Sequence, residues 1–309
     1  MTDSELSCLE QLWLKLFDGR DEKLVLSVIL FTITEVAYVV PSLVNLLCNY
    51  ISFFDCYKIQ PPPLSASQLQ QQQQQQLPTD TDEAVDPLLQ DPSDVSDAVP
   101  APNASVVWKC VKSFIIMSLL ASIPLYLIAQ PVLRMAGVQI STVPFPSFPT
   151  FAIQFLAITV INDTMAYWFH RLEHKWNAFY TRIHSVHHEN YPLFGFTGLY
   201  QHPIEIALTS IISILGPILY SLTIGDLHVV TYVAILASQA FTAVRIHSGY
   251  DFPWDPLRYV PFLVQPVDHD NHHVVVEANY AGMFTLWDKM WGTYFEAPAT
   301  PAAAAANDE

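Results

Sequence analysis

FAIQFLAITVINDTMAYWFHRLEH, residues 151–174, is an apolar stretch that runs directly into a pair of histidines, and its reading decides the fold. Residues 151–169 are long enough as a helix to cross most of the roughly 30 Å hydrocarbon layer of a bilayer. A membrane span that ends in HxxxH places two imidazoles at the membrane surface, one turn apart on one helix face. Working outward, similar apolar runs occupy residues 24–48 and 113–133 on the N-terminal side. Two more, 204–222 and 227–244, are joined by Gly225 and Asp226 and read as a helical hairpin that enters the membrane and returns. Pro144, Pro146 and Pro149 mark the turn before residue 151. The expected fold class is all-α, a polytopic membrane helical bundle with a histidine-cluster di-metal domain on its cytosolic face.

Composition agrees with lipid as the solvent. The 309 residues are 51% hydrophobic and only 14% charged. The formal charge of −16 says little about partners, because seven acids crowd between Asp80 and Asp97, beside the glutamine run 70–76. No basic face for nucleic acid is visible. Cys8, Cys48, Cys56 and Cys110 stand apart without a CxxC pair, which argues against a thiolate metal site or a disulfide framework. The acidic start, with Asp3, Glu5 and Glu10, does not resemble a removable secretory signal. These features divide the chain into an N-terminal segment with the first span (1–60), a disordered Gln/Pro/acidic insert (61–104), a membrane metal domain (105–296) and a disordered tail (297–309). Lys58, Lys109, Lys112, Arg171, Lys175, Arg182, Arg258 and Lys289 all fall on one side of such a bundle, whereas the connection between the second and third spans offers only Arg134. By the positive-inside rule the histidine side is cytosolic. The sequon Asn103-Ala104-Ser105 would then stay unmodified.

Eight of the 11 histidines form three groups: His170 and His174; His184, His187 and His188; and His269, His272 and His273. Two HxxHH patterns in one chain of this composition should arise by chance in roughly one sequence per ten thousand. Positions i, i+3 and i+4 share a helix face, so each group is expected to aim its imidazoles at one point, and folding back the hairpin would unite the three groups. This many neutral imidazoles exceeds the four ligands of a zinc site, and nitrogen donors without thiolates suit two first-row ions, best read as two irons. The Glu-x-x-His pairs of soluble di-iron bundles are missing. His202 and His247, at the cytosolic ends of the hairpin, are further ligand candidates; His228, at its far end, is not. Asp163 lies seven residues before His170, and a carboxylate inside a span is costly unless paired, so it is expected to orient a ligand imidazole, with Glu205 and Asp288 as further candidates for that role. Trp254, Trp287 and Trp291, with Tyr250, Tyr259 and Tyr294, read as interfacial anchors.

The ordered set HRLEH, HSVHH and HDNHH, after these spans, resembles the fatty acid hydroxylase superfamily of membrane di-iron enzymes. The stretches HSGYDFPWDPLRYVPF (247–262) and NYAGMFTLWDKMWGTYF (279–295) look most like methylsterol oxidases and cholesterol side-chain hydroxylases, and YQHPIE (200–205) is similar to an element of methylsterol oxidases and sphingoid-base hydroxylases. The resemblance implies His202 and His247 as site residues, two non-haem irons, and an oxygen-dependent oxidation of a membrane lipid. It also implies electrons from cytochrome b5 and its nicotinamide-linked reductase, with residence in the endoplasmic reticulum. The leading expectation is a C-4 methylsterol oxidase of sterol biosynthesis. A sphingoid-base or fatty-acyl hydroxylase is the alternative within enzymes, and a non-catalytic zinc-binding membrane protein the alternative outside them.

Overall fold

The computed structural model describes residues 6–59, 99 and 101–296; most of the expected insert and the whole expected tail lie outside the described residues. The described residues are helical, with isolated β-bridges and no strands. Helix α1 (Cys8–Phe17), which the apolar runs did not announce, opens with a capping box between Ser7 and Glu10. It lays Trp13 and Phe17 into the core, and Trp13 Nε1 donates to the Ile140 carbonyl at 3.0 Å. Helix α2 (Glu22–Cys48) follows, capped by Asp21. Helices α3 (Ala104–Met117) and α4 (Ile123–Met135) are continuous through a π-helical turn at Ser118–Ser122. Then come α5 (Phe148–Lys175), the short α6 (Asn177–Arg182), and the hairpin α7 (Pro203–Thr223) and α8 (Val229–Ile246). Helices α9 (Pro266–Val275) and α10 (Leu286–Trp291) complete the set.

Among the described residues, four helical stretches are long and apolar enough to cross a membrane: Glu22–Cys48, Ala104–Met135, Pro203–Thr223 and Val229–Ile246. They fit a multi-pass membrane protein. Val28, Val36, Val40, Leu43 and Leu47 of α2 lie open on its outer face, an apolar surface of the kind that lipid covers. The expected span 151–169 is part of the long helix α5 but falls outside that set. The reason is composition: α5 turns Gln154, Thr159, Asn162 and Asp163 inward, all buried. Gln154 Nε2 donates to the Asp226 carbonyl at 2.9 Å and Asn162 Nδ2 to the Ser213 carbonyl at 3.2 Å, so the neighbouring hairpin, not lipid, satisfies them. Asn162 also fits against Gly216, where an added Cβ would stand 1.9 Å from its Oδ1.

Two packing devices fix the loops around the histidines. Asn45, near the end of α2, donates to the Ser248 carbonyl at 2.8 Å and accepts the Gly195 N–H at 2.6 Å. The buried Tyr38 hydroxyl, two turns earlier, donates to the Phe196 carbonyl and accepts the Leu199 N–H, both at 3.1 Å. At the end of α8, Arg245 binds Asp255 at 2.6 Å and the Val264 carbonyl and Gln265 Oε1 at 2.7 Å, fastening the segment that leads into α9.

Candidate metal centre

Nine histidines converge in two groups. His170, His174, His184, His188 and His272 form the first, and His187, His247, His269 and His273 the second; within each, one ring nitrogen per residue lies within 4.8 Å of all the others. The sequence motifs are therefore shared between groups rather than each serving one point, which corrects the expectation of one target per motif. On α9, His269 and His273 stand four residues apart and both enter the second group, while His272 is rotated about 100° from His273 and enters the first. HSVHH forms a 3-10 turn at His184–Glu189 rather than an α-helix, and again the pair four apart shares a group while His187 crosses to the other.

Five of the nine rings are held from behind. The Nδ1–H of His170 donates to the Tyr280 carbonyl (2.7 Å), that of His187 to Tyr200 (3.3 Å), that of His247 to Ala243 (2.7 Å) and that of His272 to Ala278 (2.6 Å). The Nδ1–H of His184 donates to Glu205 Oε1 at 2.9 Å. With those hydrogens committed outward, Nε2 keeps its lone pair and faces the centre of its group. In the first group the Nε2 atoms of His170 and His174 are 3.3 Å apart, those of His174 and His184 2.9 Å, and those of His184 and His188 3.2 Å. In the second, His187–His247 and His247–His269 are 3.2 and 3.0 Å. Two nitrogens bound at about 2.1 Å to one ion stand about 3.0 to 3.4 Å apart, whereas so many facing lone pairs have too few hydrogens to bridge them. His272 Nε2 and both nitrogens of His273 are buried without any hydrogen-bond partner. The residues present thus fit two metal ions. Burial holds His174, His184, His187, His188, His269, His272 and His273 well below the usual imidazole range, and His170 and His247 at about 4, which favours the neutral ring that a metal ion would need.

The other expected site residues divide. His202 joins neither group: it caps α7, and its Nδ1 accepts the Ile204 N–H at 3.2 Å. Asp163 does not touch an imidazole. Its carboxylate accepts the N–H groups of Met283 (2.8 Å) and Phe284 (3.1 Å) and Trp287 Nε1–H (2.9 Å). Asp288 accepts the N–H groups of Tyr280 and Ala281, each at 2.9 Å. The two acids therefore frame the loop whose Tyr280 carbonyl holds His170, acting on the site through backbone rather than directly. Trp287 is thereby a hydrogen-bonded member of this frame, and Tyr250 is buried, while Trp254, Tyr259 and Trp291 are exposed. His228 lies at the far end of α8 and bonds the Thr142 carbonyl at 3.1 Å. The carbonyl partners carry no side-chain signal, and Glu173, the acid inside HRLEH, is a further buried carboxyl beside His184 that the histidine spacing does not single out.

A cavity of about 370 Å³ abuts both groups. His170, His184, His187, His247 and His269 line one end, and Phe114, Met117, Phe169, Leu236 and Ile246 supply apolar wall. Residues 155–293, which contain all nine histidines, match the sequence model of the fatty acid hydroxylase family. This stretch is similar to the fatty acid hydroxylase domain. Methylsterol monooxygenase erg25A of Aspergillus fumigatus is 35% identical over 199 residues, 64% of this chain and 65% of that protein. Methylsterol monooxygenase 1-1 of Arabidopsis thaliana is 35% identical over 195 residues, 62% of this chain and 63% of its own length. C-4 methylsterol oxidase erg25 of Schizosaccharomyces pombe is 27% identical over 290 residues, 94% of this chain and 84% of the relative. Against the first two, the chain spans a little under two thirds of the relative. No solved structure matches the chain.

Proposed function

We propose that the chain is an oxygen-dependent, di-iron C-4 methylsterol oxidase of sterol biosynthesis. The observation that supports this most is the meeting of two all-imidazole groups with the end of a largely apolar cavity, a surrounding suited to a lipid C–H bond. The first group would hold one iron and the second the other; nitrogen donors without thiolates suit such ions. Bound there, the two irons would supply the reduction of oxygen and the oxidising power for C–H cleavage. The chain's own residues contribute orientation and dryness. Backbone carbonyls and Glu205 hold five of the imidazoles with Nε2 inward, and six of the nine histidines are buried, with His170, His174 and His188 half-buried. The names of the relatives supply the substrate class. Electrons would arrive from cytochrome b5 and its NAD(P)H-dependent reductase at a cytosolic histidine face, in the endoplasmic reticulum membrane. Residues 105–296 are taken as the catalytic unit, 1–60 as its anchor.

The test is metal content of detergent-purified protein with and without His187→Ala and His272→Ala, one from each group, and turnover of a 4-methyl sterol with oxygen, cytochrome b5 and reductase. The expected result is two irons per chain, with one ion and all product lost in each variant. Stoichiometric zinc without oxygen-dependent product, even after iron loading, would overturn the proposal. Oxidation of long-chain bases in place of sterols would move it to the sphingoid-base hydroxylases.

A further inference from the structure

Glu173 stands on α5 between His170 and His174, with 3% of its side chain exposed. Its neighbour in space is Glu205, 1% exposed, and the two carboxylates flank the Nδ1 of His184. That nitrogen carries one hydrogen. Glu205 Oε1, at 2.9 Å, takes it; Glu173 Oε2, at 3.6 Å, lies beyond hydrogen-bond distance. Holding the ring therefore needs Glu205 and does not need Glu173. Glu173 Oε1 and Glu205 Oε2 are both buried without a partner, and among the described residues neither acid has a lysine or arginine counter-ion. A buried carboxylate with unfilled acceptor positions is unfavourable until a donor arrives. Both residues line the cavity at its histidine end. The donor that fits this setting is an uncharged hydroxyl carried on an apolar body, placed close to the metal groups.

Resting on the function proposed above, we infer that Glu173 is the acceptor for the sterol 3-hydroxyl and thereby sets which carbon faces the metal groups. In a 4-methyl sterol the hydroxyl sits on the ring carbon next to the one that bears the methyl, so its acceptor has to lie beside the histidines. Glu173 satisfies that condition. The cavity's other carboxylates do not serve: Glu205 is committed to His184, Asp163 already accepts three hydrogen bonds, and Glu35 is bonded by Ser118 Oγ at 3.1 Å. Glu35 precedes Asn45 by ten residues on α2, and Asn45 bonds Ser248 beside His247, which puts Glu35 about 15 Å down the bundle. An acceptor role needs no change of charge at Glu173.

The experiment compares two probes, a 4,4-dimethyl sterol with a free 3-hydroxyl and the same sterol as its 3-ketone, by equilibrium binding and by turnover, using full-length protein in nanodiscs. Wild-type protein is expected to prefer the hydroxyl sterol about 3- to 10-fold, the range for an ordinary hydrogen bond. Glu173→Leu should abolish that preference through weaker binding and higher KM for the hydroxyl sterol, with the ketone little affected and both metal ions retained. Glu173→Gln, which keeps a carbonyl oxygen, should preserve most of the preference. The inference is overturned if Glu173→Leu keeps the wild-type ratio, if it loses a metal ion, which would assign Glu173 to holding His184, or if the wild type shows no preference. Those outcomes leave the oxidase reading intact. Failure of the wild type to bind or oxidise any 4-methyl sterol would remove that reading and this inference together.

Discussion

Replacing Asp163 by alanine tests whether a carboxylate in the middle of α5 controls a metal group it never touches. The side chain accepts three hydrogen bonds, at 2.8, 3.1 and 2.9 Å, from two backbone N–H groups and an indole of the loop and helix 283–287. Left unsatisfied, each buried donor costs about 1 to 3 kcal/mol. The loop can relax and water can enter, so the sum is not reached; a loss of about 3 kcal/mol is expected, or roughly 6 to 12 °C in unfolding midpoint. The same loop carries the Tyr280 carbonyl that holds His170, and Ala278, whose carbonyl holds His272, immediately precedes it. Both rings belong to the first group. Loss of such outer support costs about 10- to 100-fold in metal affinity, so the first ion should weaken while the second, held by His187, His247, His269 and His273, stays. Competition with a chelator on nanodisc-embedded protein reads the two affinities, and a thermal scan reads stability. Asp163→Asn, which keeps one acceptor oxygen, should fall between. An alanine variant less stable but with both ions bound as in wild type would refute the coupling; an unchanged midpoint would refute the account of the buried donors.

Three further outcomes follow from the same geometry. Glu205→Gln replaces the carboxyl acceptor of His184 Nδ1–H and should weaken the first ion about 10- to 100-fold, measured by the same chelator competition. Gly198→Ala places a Cβ 2.9 Å from the Ala243 carbonyl oxygen and 3.3 Å from His247 Nδ1, so it should disturb the second ion selectively; equal loss of both would contradict the division into two groups. His202→Ala should leave two ions per chain and cost about 1 kcal/mol or less through its lost cap of α7, and loss of an ion would place His202 in the coordination after all.

The helices were legible because apolar length leaves an unmistakable trace, and α2, the stretch through α3 and α4, and the hairpin α7–α8 overlie the expected runs closely. Helix α1 was not, since ten residues with one capping box carry little periodic signal. The histidines that gather were all visible as motifs or hairpin-end residues, yet their partition was not anticipated. On the α-helices it nonetheless follows from geometry: residues four apart lie about 40° apart around the axis and share a target, while His272, about 100° from its successor, turns elsewhere; in the 3-10 turn, where residues three apart would align, His184 and His188 share a group without help from that rule. His170/His174, His184/His188 and His269/His273 are the pairs that share; His187 and His272 are the residues that cross.

That crossing has a structural consequence. Because HSVHH and HDNHH each give imidazoles to both groups, neither group is built from a single element, and both groups draw on α9 and the 3-10 turn together. The backbone carbonyls add a second tie, since the acceptors for His170 and His272 come from the loop after α9, and that loop is held by Asp163 and Asp288. Sequence spacing could assign the histidines but not their acceptors, because a carbonyl oxygen belongs to every residue and is selected only by the fold. Asp163 shows how this misleads: its position two turns from His170 points along one helix toward the imidazole, whereas its role runs outward to a loop more than a hundred residues later and returns to His170 through Tyr280.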